Sequence, residues 1–128
     1  MPTLRHVRAN ECRICLMTEI GSIAELDADF TGFYTKEVHE RGGPRLEGYR
    51  VYFFNRLKAR KTGIGEGKFL MVELCKILDE NGWAVVNTPN PYGPLDEEAL
   101  NAFYKRFGFK NVIDGLMVRL PKGASDAD

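Results

Sequence analysis

The chain has few of the residues that build metal or redox centres. Its 128 residues include 3 cysteines and 2 histidines. Cys12 and Cys15 form one CxxC pair, but no second pair follows at the spacing that zinc sites use. The segment around them alternates as a strand does, which predicts Cys12, Ile14 and Leu16 on one face and Cys15 on the other. We therefore expect structural cysteines and no metal site.

Net charge and long apolar runs are also lacking. The 18 Lys and Arg residues balance 18 Asp and Glu residues, so the broad positive field that favours nonspecific nucleic-acid binding is absent. No run approaches the roughly 18 to 20 apolar residues of a membrane span, and residues 1–11 do not resemble a signal peptide. We expect a cytoplasmic protein with no membrane association, for which nucleic acid is an unfavoured partner.

The composition is that of one small globular domain. An apolar fraction of 44% over 128 residues suffices for a single core. We expect one domain over residues 1–121 and a polar tail over residues 122–128. Alternation and turn signals in the first half predict antiparallel strands over Glu11 to Ile20, Glu25 to Val38 and Tyr49 to Leu57. A helix over Phe30 to Glu40 is the alternative to the end of the second strand.

The second half combines helices and strands. Apolar residues at helical spacing predict a helix over Gly67 to Asn81, followed by a buried strand over Trp83 to Asn87 that the prolines of Thr88 to Pro94 end. A second helix follows, with acids in its first turn and an apolar stripe before Gly108. The acids are Asp96, Glu97 and Glu98, and the stripe is Leu100, Phe103, Tyr104 and Phe107. Gly115 to Leu120 then predicts an edge strand.

This order of elements indicates an α+β fold. The strand over Tyr49 to Leu57 and the strand over Trp83 to Asn87 are joined by a helix, and such a crossover makes two strands parallel neighbours.

The run from Arg60 to Gly67, RKTGIGEG, lies where the third strand ends and the first long helix begins. Glycines permit close backbone approach, and the amino end of a helix presents free amides and about half a positive charge to an anion. A side chain at Gly63 or Gly65 would stand where phosphate oxygens bind, and Lys61 and Lys68 add charge. The alternative is a turn whose glycines serve packing. The spacing matches neither a Walker loop nor the GxGxxG dinucleotide motif.

The same run resembles the acetyl-CoA loop of the GNAT N-acetyltransferase superfamily, which reads Gln or Arg, two residues, Gly, one residue, then Gly or Ala. Arg60, Gly63 and Gly65 match this pattern, and the segment FYKRFGF from Phe103 to Phe109 is similar to the Tyr and Gly-Phe element of the family's later helix. The resemblance covers about Tyr49 to Leu120. It implies a mixed, mostly antiparallel sheet with helices on its faces, whose parallel neighbouring strands splay around acetyl-CoA.

The resemblance also implies functional residues. Tyr104 corresponds to the general acid, although its apolar stripe is equally typical of a core residue. The residues that would bind coenzyme A are Phe54, Asn55, Arg56, Arg60, Lys61, Thr62, Gly63, Ile64, Gly65, Gly67, Lys68 and Asn87. Glu97 stands where members often have Asn, and Phe54, Asn55 and Arg56 replace the usual residues beside pantetheine.

The implied activity is transfer of an acetyl group from acetyl-CoA to an amine by direct attack. The acceptor is a protein lysine, a protein amino terminus or a small amine. The candidates for a general base are His39, Glu47 and Tyr49, and the spacing selects none of them. A base that acts through water, or no base at all, is the alternative. The alternatives are a catalytically degenerate GNAT fold that binds or inhibits a protein partner, and an unrelated interaction domain in which RKTGIGEG is only a turn.

Overall fold

One mixed sheet organises the part of the chain that the computed structural model describes, namely residues 2–61, 63–88, 97–113 and 115–123. Within these residues seven strands lie in the order β1-β2-β3-β4-β5-β7-β6. They are β1 Leu4–Ala9, β2 Arg13–Thr18, β3 Ile23–Ala28, β4 Val51–Lys58, β5 Ala84–Asn87, β6 Lys110–Ile113 and β7 Leu116–Arg119. Every neighbouring pair is antiparallel except β4 and β5, which are parallel. The predicted α+β class is confirmed.

Two apolar cores lie on the two faces of the sheet. The helices are α1 Phe33–Glu40, α2 Glu66–Asn81 and α3 Glu97–Lys105. Tyr52 of β4 belongs to the core under α2 and α3, whereas its neighbour Val51 belongs to the core under α1. Successive side chains of a strand point to opposite faces, so α2 and α3 cover one face and α1 covers part of the other.

Helix α2 follows the predicted pattern closely. Leu70, Leu74 and Leu78 are fully buried against the sheet, as their spacing along the helix predicts. The helix ends at Gly82, whose φ of 70° is left-handed and whose N–H donates to the carbonyl of Leu78. Because α2 connects β4 to β5, the predicted parallel crossover is confirmed.

The second predicted strand is wrong beyond Ala28. The chain leaves β3 there and begins α1 at Phe33, which confirms the helical alternative. The Asp29 side chain explains the change, since its carboxylate accepts hydrogen bonds from the backbone of Thr31 and Tyr34. Such a local bond competes with extended structure and starts a helix.

The sequence patterns do not predict strands β1 and β6, and they place β7 wrongly in the sheet. Strand β1 is exposed over most of its length, so it shows no buried alternate residues. Strand β6 is four residues long. The predicted edge strand Gly115 to Leu120 is β7, which lies between β5 and β6 with all four residues buried. The edge prediction is therefore wrong, because β6 covers β7.

Some predicted features lie outside the described residues. They are the position of Thr62, the proline-rich segment beyond Thr88, the first acid of the second predicted helix, Asp96, and the polar tail beyond Gly123. Among the helices that are described, none has the length and hydropathy needed to cross a bilayer.

Candidate functional site

The parallel strands β4 and β5 pair over only a short distance and then separate. Their last paired residues are Phe53 and Val86. Beyond Phe53, β4 continues to Lys58 with β3 as its partner, and no described strand pairs with it on the other side. Among the residues that the structure describes, the backbone of this stretch therefore lies along a gap in the sheet, which we call the β4–β5 split.

The predicted residues Phe54, Asn55 and Arg56 border this split. In the register with β3, Phe54 lies opposite Leu26 and Arg56 opposite Glu25, so Asn55 is the extra residue of a β-bulge. A bulge disrupts the ladder locally and redirects the bulged strand.

The side chains of these three residues all have partners within the protein. The Phe54 ring packs at 6.0 Å from that of Tyr104. Asn55 donates to Asp27, and the Arg56 Nε atom lies 3.3 Å from a carboxylate oxygen of Glu25. Their contribution at the split is consequently through the backbone.

Strand β4 leads into the glycine loop, which ends at the amino terminus of α2. Gly63 and Gly65 have φ values of 82° and 81°, a region that glycine adopts without strain. Gly65 is the N-cap residue and supplies no side chain to the helix. The amides of the first helical turn have no acceptor within a helix, and no described side chain accepts from those of Glu66, Gly67 or Lys68.

The loop glycines leave open space. A Cβ atom built on Gly63, Gly65 or Gly67 meets no described atom within 4 Å. Packing, the alternative explanation for these glycines, therefore does not account for them. Gly67 lies inside the helix without a left-handed φ, where glycine costs about 1 kcal/mol relative to alanine. Because Gly67 has no side chain, it leaves room beside the helix amino end.

The surroundings of the loop are basic. Arg60, Lys61 and Lys68 are exposed, and none of them forms an ion pair with another described residue. Ile64 is also exposed, at 51%. The one acid of the first helical turn, Glu66, is buried and accepts a hydrogen bond from the Thr18 hydroxyl. An anion at the loop would thus meet amides and basic side chains.

Sequence patterns do not reveal how the loop is attached to the sheet. The Arg60 N–H donates to the Ser22 hydroxyl at 2.8 Å, and Glu66 is bonded to Thr18. Thr18 ends β2 and Ser22 lies in the turn before β3, so the partners precede Glu66 and Arg60 by 48 and 38 residues, and no local signal in the sequence marks them.

Tyr104 lies on α3 with its ring in the core. It is 6% exposed and packs at 5.4 Å from the rings of Phe103 and Phe109. Burial raises the pKa of its phenol, and the nearby amide side chain of Asn87 acts in the opposite direction. Asn87 ends β5 directly after the last residue paired with β4, so the Tyr104 hydroxyl is beside the β4–β5 split.

Asn87 carries a hydrogen-bond donor that the protein leaves open. The residue is 6% exposed. Its Nδ2 atom is buried and has no partner among the described residues, so the contact with Tyr104 does not satisfy it. A buried donor without a partner is costly, about 1–3 kcal/mol. Such an atom, at the end of a strand and beside a gap in the sheet, is available to donate to a ligand.

The candidate bases do not converge on the split. Tyr34 of α1 contacts Phe53, with ring centroids 5.3 Å apart, and His39 lies five residues further, about 7.5 Å along the helix axis. Glu47 and Tyr49 precede β4, so they lie at the end of that strand opposite the split.

The cysteine prediction holds only in part. Cys15 lies on β2 and is half-buried, on the face opposite the buried Ile14 and Leu16. Cys12 is exposed and precedes the strand, where its N–H donates to the Asn10 side chain. The shared face expected for Cys12 is therefore not formed, because the Asn10 turn starts the strand later. Among the described residues no cluster of three or more acids, His or Cys could hold a metal ion.

A cavity of about 500 Å³ lies away from the split. It is lined by the segment after α1, the start of β6 and the end of β7, namely Gly42, Gly43, Pro44, Gly108, Lys110, Asn111, Val112, Val118 and Leu120. None of the predicted site residues lines it. The candidate site instead comprises the split, the glycine loop, Asn87 and Tyr104.

Comparison of the chain with protein-family models, with curated proteins and with solved structures gave no match.

Proposed function

We propose that the chain is an N-acetyltransferase of the GNAT type, which transfers an acetyl group from acetyl-CoA to an amine. One observation carries the proposal. A parallel strand pair separates after Phe53, and the strand that runs on past the split leads into a helix amino end whose amides and glycines are open. The motif resemblance of Arg60, Gly63 and Gly65 adds to it.

The residues present fit coenzyme A. Backbone amides at the start of α2 suit a diphosphate, because the helix amino end attracts anions, and Lys61 and Lys68 add positive charge. The backbone of Phe54 to Arg56 would bond the pantetheine amides along the split. Asn87 Nδ2, which is buried and unpartnered, would donate to an oxygen of the same arm. Bound acetyl-CoA supplies the acetyl group as an activated thioester.

Tyr104 would hold a proton at its hydroxyl oxygen beside the split. Because burial raises the pKa of this phenol, the hydroxyl stays protonated at neutral pH and can act as a hydrogen-bond donor. A thiol has a pKa near 8.5 and a tyrosine near 10, so full proton transfer to a departing sulfur is uphill by about 2 kcal/mol. Tyr104 therefore stabilises the leaving sulfur by partial donation.

The acceptor must present a neutral amine. Deprotonating a lysine-like amine at pH 7 costs about 4.6 kcal/mol, given its pKa near 10.4. His39, Glu47 and Tyr49 lie away from the split, so we assign no side chain as the base. The acceptor is an amine of a small molecule or of a protein.

The test is calorimetric titration with CoA, followed by measurement of acetyl transfer to a panel of amines. We expect micromolar affinity, about 8 kcal/mol, and loss of at least 100-fold in Gly65→Glu, whose side chain fills the anion's place. Gly48→Glu is the matched control, since Gly48 also has a left-handed φ with open space around it but lies in another turn.

Folded wild-type protein that gives no heat with CoA, and contains none already bound, would contradict the proposal. Binding of CoA without transfer to any amine would favour the catalytically degenerate binding module instead.

A further inference from the structure

We propose that Thr18, Ser22 and Glu66 act together as a positioning device for the glycine loop. The inference rests on the proposed function, because it concerns how this loop binds the diphosphate of CoA. The loop is tied to the sheet at both ends. Its first residue, Arg60, donates its N–H to Ser22, and the first residue of α2, Glu66, accepts from Thr18.

The attachment is a small buried polar network. Thr18 is 1%, Ser22 0% and Glu66 4% exposed, whereas Gly63, Ile64 and Gly65 between the two ties are exposed.

Thr18 links the members of this network. The Thr18 hydroxyl donates to Glu66 and accepts the Ser22 N–H at 3.0 Å, and the Ser22 carbonyl accepts the Thr18 N–H at 2.9 Å. Low exposure strengthens such bonds, and linked buried bonds hold their members in one arrangement.

Two anchored ends restrict a loop that glycine would otherwise leave flexible. Glycine loses more conformational freedom on ordering than other residues, and a loop that orders only on binding weakens affinity by that amount. By fixing Arg60 and Glu66, the network orders the intervening amides before the anion arrives. The β2–β3 turn therefore contributes to affinity although it does not touch the ligand.

The Thr18 hydroxyl has a second effect through charge. A carboxylate in the first turn of a helix is attracted to the amino end, which is also where the diphosphate would bind. The hydroxyl instead holds the Glu66 carboxylate against β2, where it is buried. Without that bond, Glu66 would compete with the anion for the same amides.

The test uses Thr18→Val, which keeps the side-chain shape and removes the hydroxyl, with Thr18→Ser as the matched control. We expect CoA to bind about 10-fold more weakly to Thr18→Val, equivalent to about 1.4 kcal/mol, and within 2-fold of wild type to Thr18→Ser. With S-acetylpantetheine as donor, which lacks the diphosphate, kcat/KM should change less than 2-fold. With acetyl-CoA, KM should rise while kcat holds.

Addition of Glu66→Gln to Thr18→Val should recover part of the lost affinity, because it removes the competing charge. If Thr18→Val is not folded by circular dichroism, Ser22→Ala replaces it, with an expected loss of about 3-fold, because it frees the Arg60 end of the loop and leaves Glu66 bonded to Thr18.

The outcomes separate this inference from the proposed function. Wild-type protein that binds no CoA overturns both. Wild type that binds CoA while Thr18→Val and Ser22→Ala bind it equally well overturns only the positioning role. Equal losses with acetyl-CoA and S-acetylpantetheine would also overturn it, because a loop that positions a diphosphate cannot affect a donor without one.

Discussion

Helices α1 and α2 begin alike but treat their first amides differently. Both start after a left-handed glycine, Gly32 with a φ of 73° and Gly65 with a φ of 81°, and neither glycine caps its helix with a side chain. At α1 the chain supplies its own acceptors, since Asp29 Oδ2 accepts from the N–H of Tyr34 at 2.8 Å. The Thr31 hydroxyl accepts from the N–H of Phe33 at 3.2 Å.

At α2 the corresponding amides have no described side-chain acceptor, and the one nearby carboxylate, Glu66, is bonded to Thr18 instead. The contrast teaches that glycine before a helix does not by itself make an anion site. A helix amino end is open to an external anion only where the chain does not supply its own acceptor for the first amides. Helix α1 carries its own carboxylate, and we propose that α2 receives one or more phosphates from outside.

Two polar pairs differ in a similar way, since one joins elements of the fold and the other lies at the candidate site. Asp79 of α2 and Arg119 of β7 form an ion pair with 2.9 Å between Oδ1 and Nη1, and Arg119 Nε also donates to the carbonyl of Phe107. This pair ties together elements of the fold. Asn87 and Tyr104 also lie close together, but they do so beside the β4–β5 split. Replacing a member of the first pair should affect stability, and replacing one of the second should affect activity.

The largest expected effect is on turnover. Tyr104→Phe keeps the ring in the core and deletes the hydroxyl, so kcat should fall about 100-fold while the free energy of unfolding changes by less than about 1 kcal/mol. The affinity for CoA should stay within a few fold. Steady-state kinetics and urea denaturation measure the two quantities.

Tyr52→Phe is the control for this variant. The Tyr52 hydroxyl donates to the Asn10 carbonyl at 2.6 Å, so it is satisfied inside the protein. Its loss should lower stability by about 1 kcal/mol and leave kcat unchanged. Normal turnover by Tyr104→Phe would show that Tyr104 is only a core residue.

An intermediate effect, on stability, is expected at the amino end of α1, where Asp29 accepts from the first amides. Asp29→Ala removes the acceptor of α1 and should lower the free energy of unfolding by about 1–2 kcal/mol. Asp29→Asn should lose less, because an amide oxygen still accepts. CoA affinity should change less than 2-fold in both, as measured by calorimetry. A parallel loss of CoA affinity would show that the amino ends of α1 and α2 are coupled, which would contradict their separate roles.

The smallest effect is a pH dependence from Asp79. Burial acts to raise the pKa of this carboxyl, but hydrogen bonds from Arg119 and Lys122 and the positive charge of Arg119 outweigh it, so the pKa is lowered. Because the folded pKa is below the unfolded value of about 3.9, the stabilisation is present in full above that pH. It is lost as pH falls through the folded pKa.

Urea denaturation between pH 5 and pH 3 measures this loss. The decline should be shallower in Asp79→Asn, which has no carboxyl to titrate and is less stable throughout. Glu80→Gln, at an exposed neighbour on the same helix, should follow the wild-type slope. An unchanged slope in Asp79→Asn would show that the lowered pKa does not contribute to stability.

The features predicted correctly depend on residues close together in sequence. The buried stripe of α2 follows from the spacing of Leu70, Leu74 and Leu78, and its end follows from Gly82. The loop between β4 and α2 is likewise visible in the spacing of Gly63 and Gly65. These patterns express backbone geometry, which repeats every 2 or about 3.6 residues whatever the tertiary context.

The errors arose where distant partners or local competition decided the outcome. Alternation predicts a strand through Val38, but the hydrogen bonds of the turn at Asp29 favour a helix instead. Strand β1 is mostly exposed and forms because β2 offers an edge. The prediction of β7 as an edge strand failed because β6 pairs with it, which the local pattern of β7 does not indicate. In each case the deciding energy comes from a contact that the local pattern does not encode.

The candidate site divides in the same way. Local sequence specified a glycine loop before a helix and a tyrosine on an apolar stripe, because spacing alone places side chains on a helix face or amides at a helix start. Tertiary structure decided that β4 and β5 separate after Phe53, that Asn87 meets Tyr104, and that Thr18 holds Glu66 away from the loop. Those relations join residues 17 to 48 positions apart, and only the packing of helices on a shared sheet brings such residues together.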